Sequence, residues 1–379
     1  MFSWVTKTAQ STLASVAGTA EPIYGPDALQ AVSFQEDQNP KYEFHSEDVQ
    51  WLAPESTCAE TETFYIEADS GHFVMIQVIY SNVVNLHISA QCNVKVFYPD
   101  GSIHWSAKTM ENFWFDEQKR CFKADGFSIV LHDDNCYRII SRLDPETLVD
   151  LKISRTIPGF KVGRDGRTNF GNDPRNPWGC IRHLFWPKGS AEGKLEVKGN
   201  KLMVSGNAVF VMALQAMKPH HAASKWNFIT FQSEKLNAIM MEFTTPPSYG
   251  TQTVNVGGVF KDDALVLGTT AGTFQHTESA LDPDTQWAEP KSIKVLWKGT
   301  SQDGKDTEAS LEVMLGKRID RVDIMAEVPA IIKRIVAGAV GTRPYIYQYR
   351  QKATLKLRIG DQVSSEEGQI FTEATFINA

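Results

Sequence analysis

The chain has 379 residues, 42% hydrophobic and 22% charged, which suits two or three folded domains and excludes collagen, coiled coil and wholesale disorder. No run of eighteen apolar residues is present, which excludes a transmembrane helix. Lys and Arg number 38 against 45 Asp and Glu, a net charge of −7, which argues against a nucleic-acid binder or a protein drawn to membranes by bulk charge.

In chain order the first signal is helical. Phe2, Val5, Ala9, Leu13 and Val16 share one face at 3.6 residues per turn, with Trp4 at its edge and Ser3, Lys7, Gln10, Ser11 and Ser15 opposite. Gly18 supplies an end, and Pro22 prevents continuation. The pattern predicts an amphipathic helix over 1–20, followed by a linker over 21–50. A helix docked on its own core would look the same. The terminal position and the Gly/Pro/Asp-containing stretch from Glu21 to Asp27 favour a membrane surface. One charge, Lys7, makes apolar insertion the driving force, so the expected contact is weak and reversible.

From about Trp51 the period becomes two. Val94 and Val96 alternate with polar neighbours before Pro99-Asp100-Gly101. Ile129 and Leu131 lead into Asp133-Asp134-Asn135, with Tyr137 and Ile139 beyond. Leu195 and Val197 precede Gly199-Asn200, and Leu202 and Val204 follow, a hairpin signature. Ile293, Val295 and Trp297, then Leu311, Val313 and Leu315, then Leu355, Leu357 and Ile359, continue the pattern. Short strands with regular turns predict an all-β fold of antiparallel barrels or sandwiches. A second helix is expected from Pro329 to about Ala339. The strand-rich part divides near Met217-Lys218-Pro219, giving units over 51–218 and 219–379.

Five cysteines, widely spaced and without a CxxC, do not form a disulfide framework or a zinc site, and reduced thiols in the cytosol are expected. No nucleophile elbow, phosphate loop or dinucleotide fingerprint occurs, so no catalytic residue, cofactor or metal is assigned. His220 and His221 are adjacent, which suits hydrogen bonding at a domain junction better than chelation. Two stretches, 171–187 and 212–228, concentrate aromatics and histidine. From them Trp178, His183, Trp186, His220, His221 and Trp226 are the candidates for lining a ligand pocket.

These same stretches carry a resemblance. Ala20-Glu21-Pro22-Ile23-Tyr24-Gly25, Trp51-Leu52-Ala53-Pro54, Pro177-Trp178-Gly179, His183-Leu184-Phe185-Trp186-Pro187, Val211-Met212-Ala213-Leu214-Gln215, Lys218-Pro219-His220-His221-Ala222-Ala223, Met241-Glu242-Phe243-Thr244-Thr245-Pro246 and Pro344-Tyr345-Ile346-Tyr347-Gln348-Tyr349 resemble the fungal survival factor family, over nearly the whole chain. The resemblance implies two tandem lipocalin-like β-barrel domains and an N-terminal helix resting on Golgi membranes. It implies carriage of ceramide or a related sphingolipid between endoplasmic reticulum and Golgi outside vesicles, in support of survival under oxidative stress. It implies a cytoplasmic, peripherally membrane-bound binding protein and not an enzyme. Two other readings stay open: a lipocalin-like hydratase or cyclase acting on a hydrophobic substrate, and a scaffold working through partners.

Overall fold

The computed structural model describes residues 22–377 apart from 84, 86, 134 and 325–343, with Pro219 and His220 described in backbone only. The helices expected over 1–20 and 329–339, with Phe2, Trp4, Val5, Ala9, Leu13 and Val16, lie outside the described residues.

The first sheet contains β1 (Leu29–Gln30), β2 (Cys58–Ala68), β3 (Phe73–Val83), β4 (His87–Phe97), β5 (Ile103–Met110), β6 (Trp114–Phe115), β7 (Cys121–Ala124), β8 (Phe127–His132), β9 (Cys136–Asp144), β10 (Thr147–Arg155), β11 (Arg167–Phe170), β12 (Gly179–Val197) and β13 (Asn200–Gln215). The second contains β14 (Lys225–Gln232), β15 (Leu236–Thr244), β16 (Thr253–Lys261), β17 (Ala264–Thr269), β18 (Thr273–Leu281), β19 (Ala288–Thr300), β20 (Asp306–Met314), β21 (Asp320–Asp323), β22 (Tyr345–Ile359) and β23 (Gln362–Phe376). The main path of the first runs β5-β4-β3-β2-β13-β12-β10-β9-β8-β7-β6, and that of the second β17-β16-β15-β14-β23-β22-β20-β19-β18. All pairings are antiparallel, as the alternating sequence predicts.

In each path the two end strands are neighbours in sequence, so the sheet must curl to bring them together. Side chains mark the approach. Ser106 Oγ of β5 donates to Asp144 Oδ2 at 2.6 Å, and Thr269 Oγ1 of β17 donates to the Lys298 carbonyl of β19 at 2.6 Å. The β12–β13 hairpin turns on Lys198 and Gly199, at φ 49° and 79°. Two left-handed residues make the turn whose twist matches the strands.

Curling gives each sheet an inner and an outer face. Inside the first, Phe64, Tyr137, Trp186 and Phe210 pack ring against ring, with Tyr137 and Trp186 centroids 5.0 Å apart. Inside the second, Trp297 is fully buried and its Nε1 donates to the Ile239 carbonyl at 2.9 Å. The β12 register shifts between Trp186 and Gly189, where Pro187 brings no N–H to the ladder. The shift reverses the phase of the strand. Before it the even residues Leu184 and Trp186 point inward; after it the odd residues Ala191, Leu195 and Val197 do.

The outer faces pack against each other. Tyr65 and Phe73 of the first sheet meet Phe371 of the second at 5.0 and 4.8 Å, and Tyr65 meets Phe228 at 5.4 Å. Residues from 28 to 42 wedge into this core through Ala28, Leu29, Val32 and Tyr42. Ion pairs tie the sheets together at its margin, among them Lys95 to Asp320 at 2.6 Å, Lys188 to Asp263 at 3.1 Å, and Arg350 to Glu67 through two guanidinium nitrogens.

Candidate ligand groove between the sheets

Inward and outward alternation decides which aromatic and polar groups meet. On β12 Trp186 points into the first sheet, whereas His183 and Phe185 point out towards the second. Across the junction β14 presents Trp226 and Phe228, and β23 presents Glu373 and Thr375. His183, Trp226, Phe228, Glu373 and Thr375, with Ala59, Thr61, Ala213, Leu214, Gln215 and Met241, line a groove of about 210 Å³. The connection from β13 to β14 runs from 216 to 224 and includes the short helix Pro219–Ala222. It joins two strands that both line the groove.

The groove is apolar in area and polar at a few points. The His183 ring lies edge-on to Trp226, centroids 5.7 Å apart, and parallel to Phe185 at 6.1 Å. Burial pushes its imidazole down to about 4, so it is neutral near pH 7, with one nitrogen a donor and the other an acceptor. Among the described residues it has no hydrogen-bond partner. Glu373 accepts from Gln348 Nε2 at 2.6 Å. Burial lifts its carboxyl to about 7, against a lowering pull from the Gln348 hydrogen bond and from Lys95. Gln215 Nε2 is buried without a partner among the described residues. The groove therefore combines aromatic walls with donors and acceptors whose capacity is not filled from within the protein, the mark of a small-molecule site.

Of the residues singled out from sequence, His183 and Trp226 meet here. Trp178 sits elsewhere, half-exposed in the β11–β12 connection, where its Nε1 donates to Tyr249 Oη at 3.0 Å and its ring packs on Tyr24 at 4.8 Å. It anchors the segment entering at Tyr24. Trp186 belongs to the first sheet's interior. His221 lies in the short helix, its backbone N–H bonded to the Lys218 carbonyl at 3.0 Å, and His220 is placed beside it by the backbone alone. Glu373, Gln215 and Thr375 were missed. Glu373 was legible in part, because in Phe371-Thr372-Glu373-Ala374-Thr375 a carboxylate occupies the same face as a core phenylalanine.

Further buried carboxylates face the interiors, Glu62 and Glu242 among them. Glu62 accepts from Tyr137 Oη at 3.2 Å, and burial holds its carboxyl far above the usual range. Glu242 accepts from Asn227 Nδ2, Asn255 Nδ2 and the Phe274 N–H at 3.2, 3.4 and 3.0 Å, with His276 Nε2 on Asn227 Oδ1 at 2.9 Å.

Comparison with known proteins fits this architecture. Solved structures sharing the fold include CghA bound to Sch210972 (TM-score 0.60, 11% identity, 93% of this chain and 98% of that one). They also include an AttH of Nitrosomonas europaea (0.57, 14%, 89% and 98%) and kievitone hydratase of Nectria haematococca (0.54, 12%, 94% and 98%). The fold is thus all-β and lipocalin-like, in two tandem antiparallel sheets. Among sequences, the chain is 48% identical to the ceramide-binding protein svf1 of Emericella nidulans over 97% of this chain and 99% of that protein. It is 48% identical to the ceramide-binding protein svf-1 of Neurospora crassa over the full length of both, and 39% identical to that of Candida albicans, also over full length. The Svf1 family model matches residues 4–378, and the chain belongs to the Svf1 family.

Proposed function

We propose that this protein binds ceramide, seating the lipid's uncharged head in the groove between the sheets. The observation that carries the reading is the groove's chemistry: a neutral His183, the Gln215 amide and the Glu373 carboxyl set among Trp226, Phe228 and Met241. A ceramide head offers an amide and hydroxyls, which need donors and acceptors and no fixed countercharge. The named activity of the relatives supports the same ligand. At about 210 Å³ the groove is smaller than sites that enclose drug-sized ligands, roughly 300–1,000 Å³. It suits the head, and the chains must extend beyond it.

The finer reading is a carrier. The apolar face of residues 1–20 touches Golgi and endoplasmic reticulum membranes weakly, and the loaded protein leaves with its lipid, outside vesicles. Relief of free ceramide would support survival under oxidative stress. A binding role is favoured over an enzymatic one by the relatives, which are named as ceramide-binding proteins.

The test is native mass spectrometry with lipid extraction after incubation with ceramide-containing liposomes. One ceramide per chain is expected, with a loss of about tenfold or more in His183→Leu, which removes the polar partner while keeping an apolar side chain. An empty wild-type protein refutes the reading. Unchanged loading of a folded His183→Leu variant refutes the groove assignment. For the carrier, Phe2→Asp with Val5→Asp is expected to abolish liposome flotation while ceramide binding survives.

A further inference from the structure

On another margin of the interface between the sheets lies a cleft of about 490 Å³, built from two segments together with Asn135 and Leu265. Residues Lys41 to His45 form one wall. Arg155, the last residue of β10, and Thr156 to Gly159 after it form the floor, and Leu265 of β17 closes the far side. The volume falls within the range of small-molecule sites, roughly 300–1,000 Å³.

The guanidinium of Arg155 is the unusual group. It is half-buried, 5.7 Å from the centroid of Phe44 and 5.4 Å from that of Trp186. Among the described residues it has no carboxylate and no hydrogen-bond partner. Burial alone lowers its ordinary value, with no carboxylate pulling the other way. A cation partly removed from water is costly unless paired. Aromatic faces recover only part of that cost, and among the described residues the N–H donors of the fork meet no acceptor of the protein.

A second unsatisfied donor lies beside it. Trp186 Nε1 is buried without a partner among the described residues. The neighbouring Cδ1 lies 2.9 Å from where a Cβ on Gly159 would stand, so this edge of the indole packs behind the Gly159 backbone that lines the cleft. Lys41 and His45 add positive or ionisable groups at the exposed rim, against the single carboxylate of Glu43. Tyr42, Phe44, Ile157, Pro158 and Leu265 supply apolar walls.

We propose that this cleft is a second ligand site, which takes the anionic head of an amphiphile: a phosphate monoester or carboxylate on Arg155, with its apolar body against Phe44, Ile157 and Leu265. The planar guanidinium fork matches either anion in bidentate fashion. The chemistry differs from that of the inter-sheet groove, because ceramide has no charge for Arg155 to meet. The two sites therefore stand or fall separately.

The experiment is calorimetric titration of the whole chain with octyl phosphate, octanoate, inorganic phosphate and octanol, repeated on Arg155→Met and Arg155→Lys. Octyl phosphate or octanoate is expected to bind one per chain. Octanol and inorganic phosphate should bind at least tenfold more weakly. Arg155→Met should lose about tenfold or more of the affinity, and Arg155→Lys should fall between, keeping charge without the fork. Without ligand, Arg155→Met should melt at or above the wild-type temperature, because it removes an unpaired charge. Four results overturn the proposal. They are no binding of either octyl anion, equal affinity for octanol, inorganic phosphate binding as tightly as octyl phosphate, or unchanged affinity in a folded Arg155→Met protein. If Arg155→Met instead melts well below wild type, Arg155→Lys decides. Octyl-anion affinity equal to wild type in that folded variant, whose ammonium lacks the fork, overturns the bidentate site, and the expected loss supports it.

Discussion

Glu373 provides the sharpest test of the groove's electrostatics. Its carboxyl is held at about 7 rather than 4.5, so the folded protein keeps a proton there that the unfolded chain releases. The folded state binds more protons between these two values, and stability therefore falls as pH rises across that window, then levels above it. At about 1.4 kcal/mol per pH unit the ceiling on this loss is about 3 kcal/mol. The carboxyl lines a groove that admits solvent, which reduces the expected effect to about 1–2 kcal/mol. Glu373→Gln keeps an acceptor for Gln348 Nε2 and cannot ionise. In urea unfolding it should match the wild type near pH 4.5 and exceed it by about 1–2 kcal/mol at pH 8.5. A difference that does not change with pH, or one of opposite sign, would refute the placement of this carboxyl in the groove.

Other expectations follow from single positions. His276 is pushed down to about 4, first by burial and then by Lys225. The unfolded chain takes up a proton there below its ordinary value while the folded protein does not. His276→Gln should therefore flatten the rise of stability with pH between about 4 and 6.5, as read by urea midpoints. Lys95 is 1% exposed against Asp320 at 20%. Lys95→Met alone should cost about 2 kcal/mol by leaving Asp320 unpaired, and adding Asp320→Asn should recover part of it, in a double-mutant cycle. Gly193 has φ +140°, and a Cβ there would stand 2.2 Å from the Asp150 carbonyl oxygen. Gly193→Ala should cost about 3 kcal/mol or more in thermal or urea unfolding, and a cost under about 1 kcal/mol would show that the β10–β12 spacing is wrong.

Much of the fold was legible because most strands bury at least one face. The alternation at Val94 and Val96, at Ile129 and Leu131, and around Gly199-Asn200 marks strands and turns that occur where expected. The family resemblance reached the architecture as a whole. What the alternation does not reveal is which of two buried faces a residue takes. Phe185 and Trp186 are equally apolar and adjacent, yet one packs between the sheets and the other inside. The phase reversal at Pro187–Gly189 comes from a bulge that hydrophobicity alone does not mark. For the same reason Trp178, His183, Trp186 and Trp226 read as one cluster in sequence, whereas only His183 and Trp226 share the groove. Arg155 gave no signal at all, since an unpaired guanidinium is recognised only by what surrounds it.

Tyr65, Phe73 and Phe371 pack ring on ring between the sheets; the groove by β12, β14 and β23 adjoins them through Phe228, and the cleft by residues 41–45 and Leu265 lies at another margin. Among the described residues the interiors hold packed rings, Phe64, Tyr137, Trp186 and Phe210 in the first sheet and Trp297 in the second. If ligand capacity arises between the sheets, interior and groove substitutions must separate. Trp297→Phe removes the donor to the Ile239 carbonyl and leaves unfilled volume beside Gly257, where a Cβ would stand 2.7 Å from Trp297 Cδ1. It should cost about 2 kcal/mol of stability. Ceramide bound per folded chain should not change, whereas Trp226→Ala should reduce it with a smaller effect on unfolding, because Trp226 is only partly buried. Lipid extraction and urea unfolding on the two variants give both readouts. If Trp297→Phe were folded but empty, the lipid would lie inside the second sheet, and the groove would lose its claim to the head.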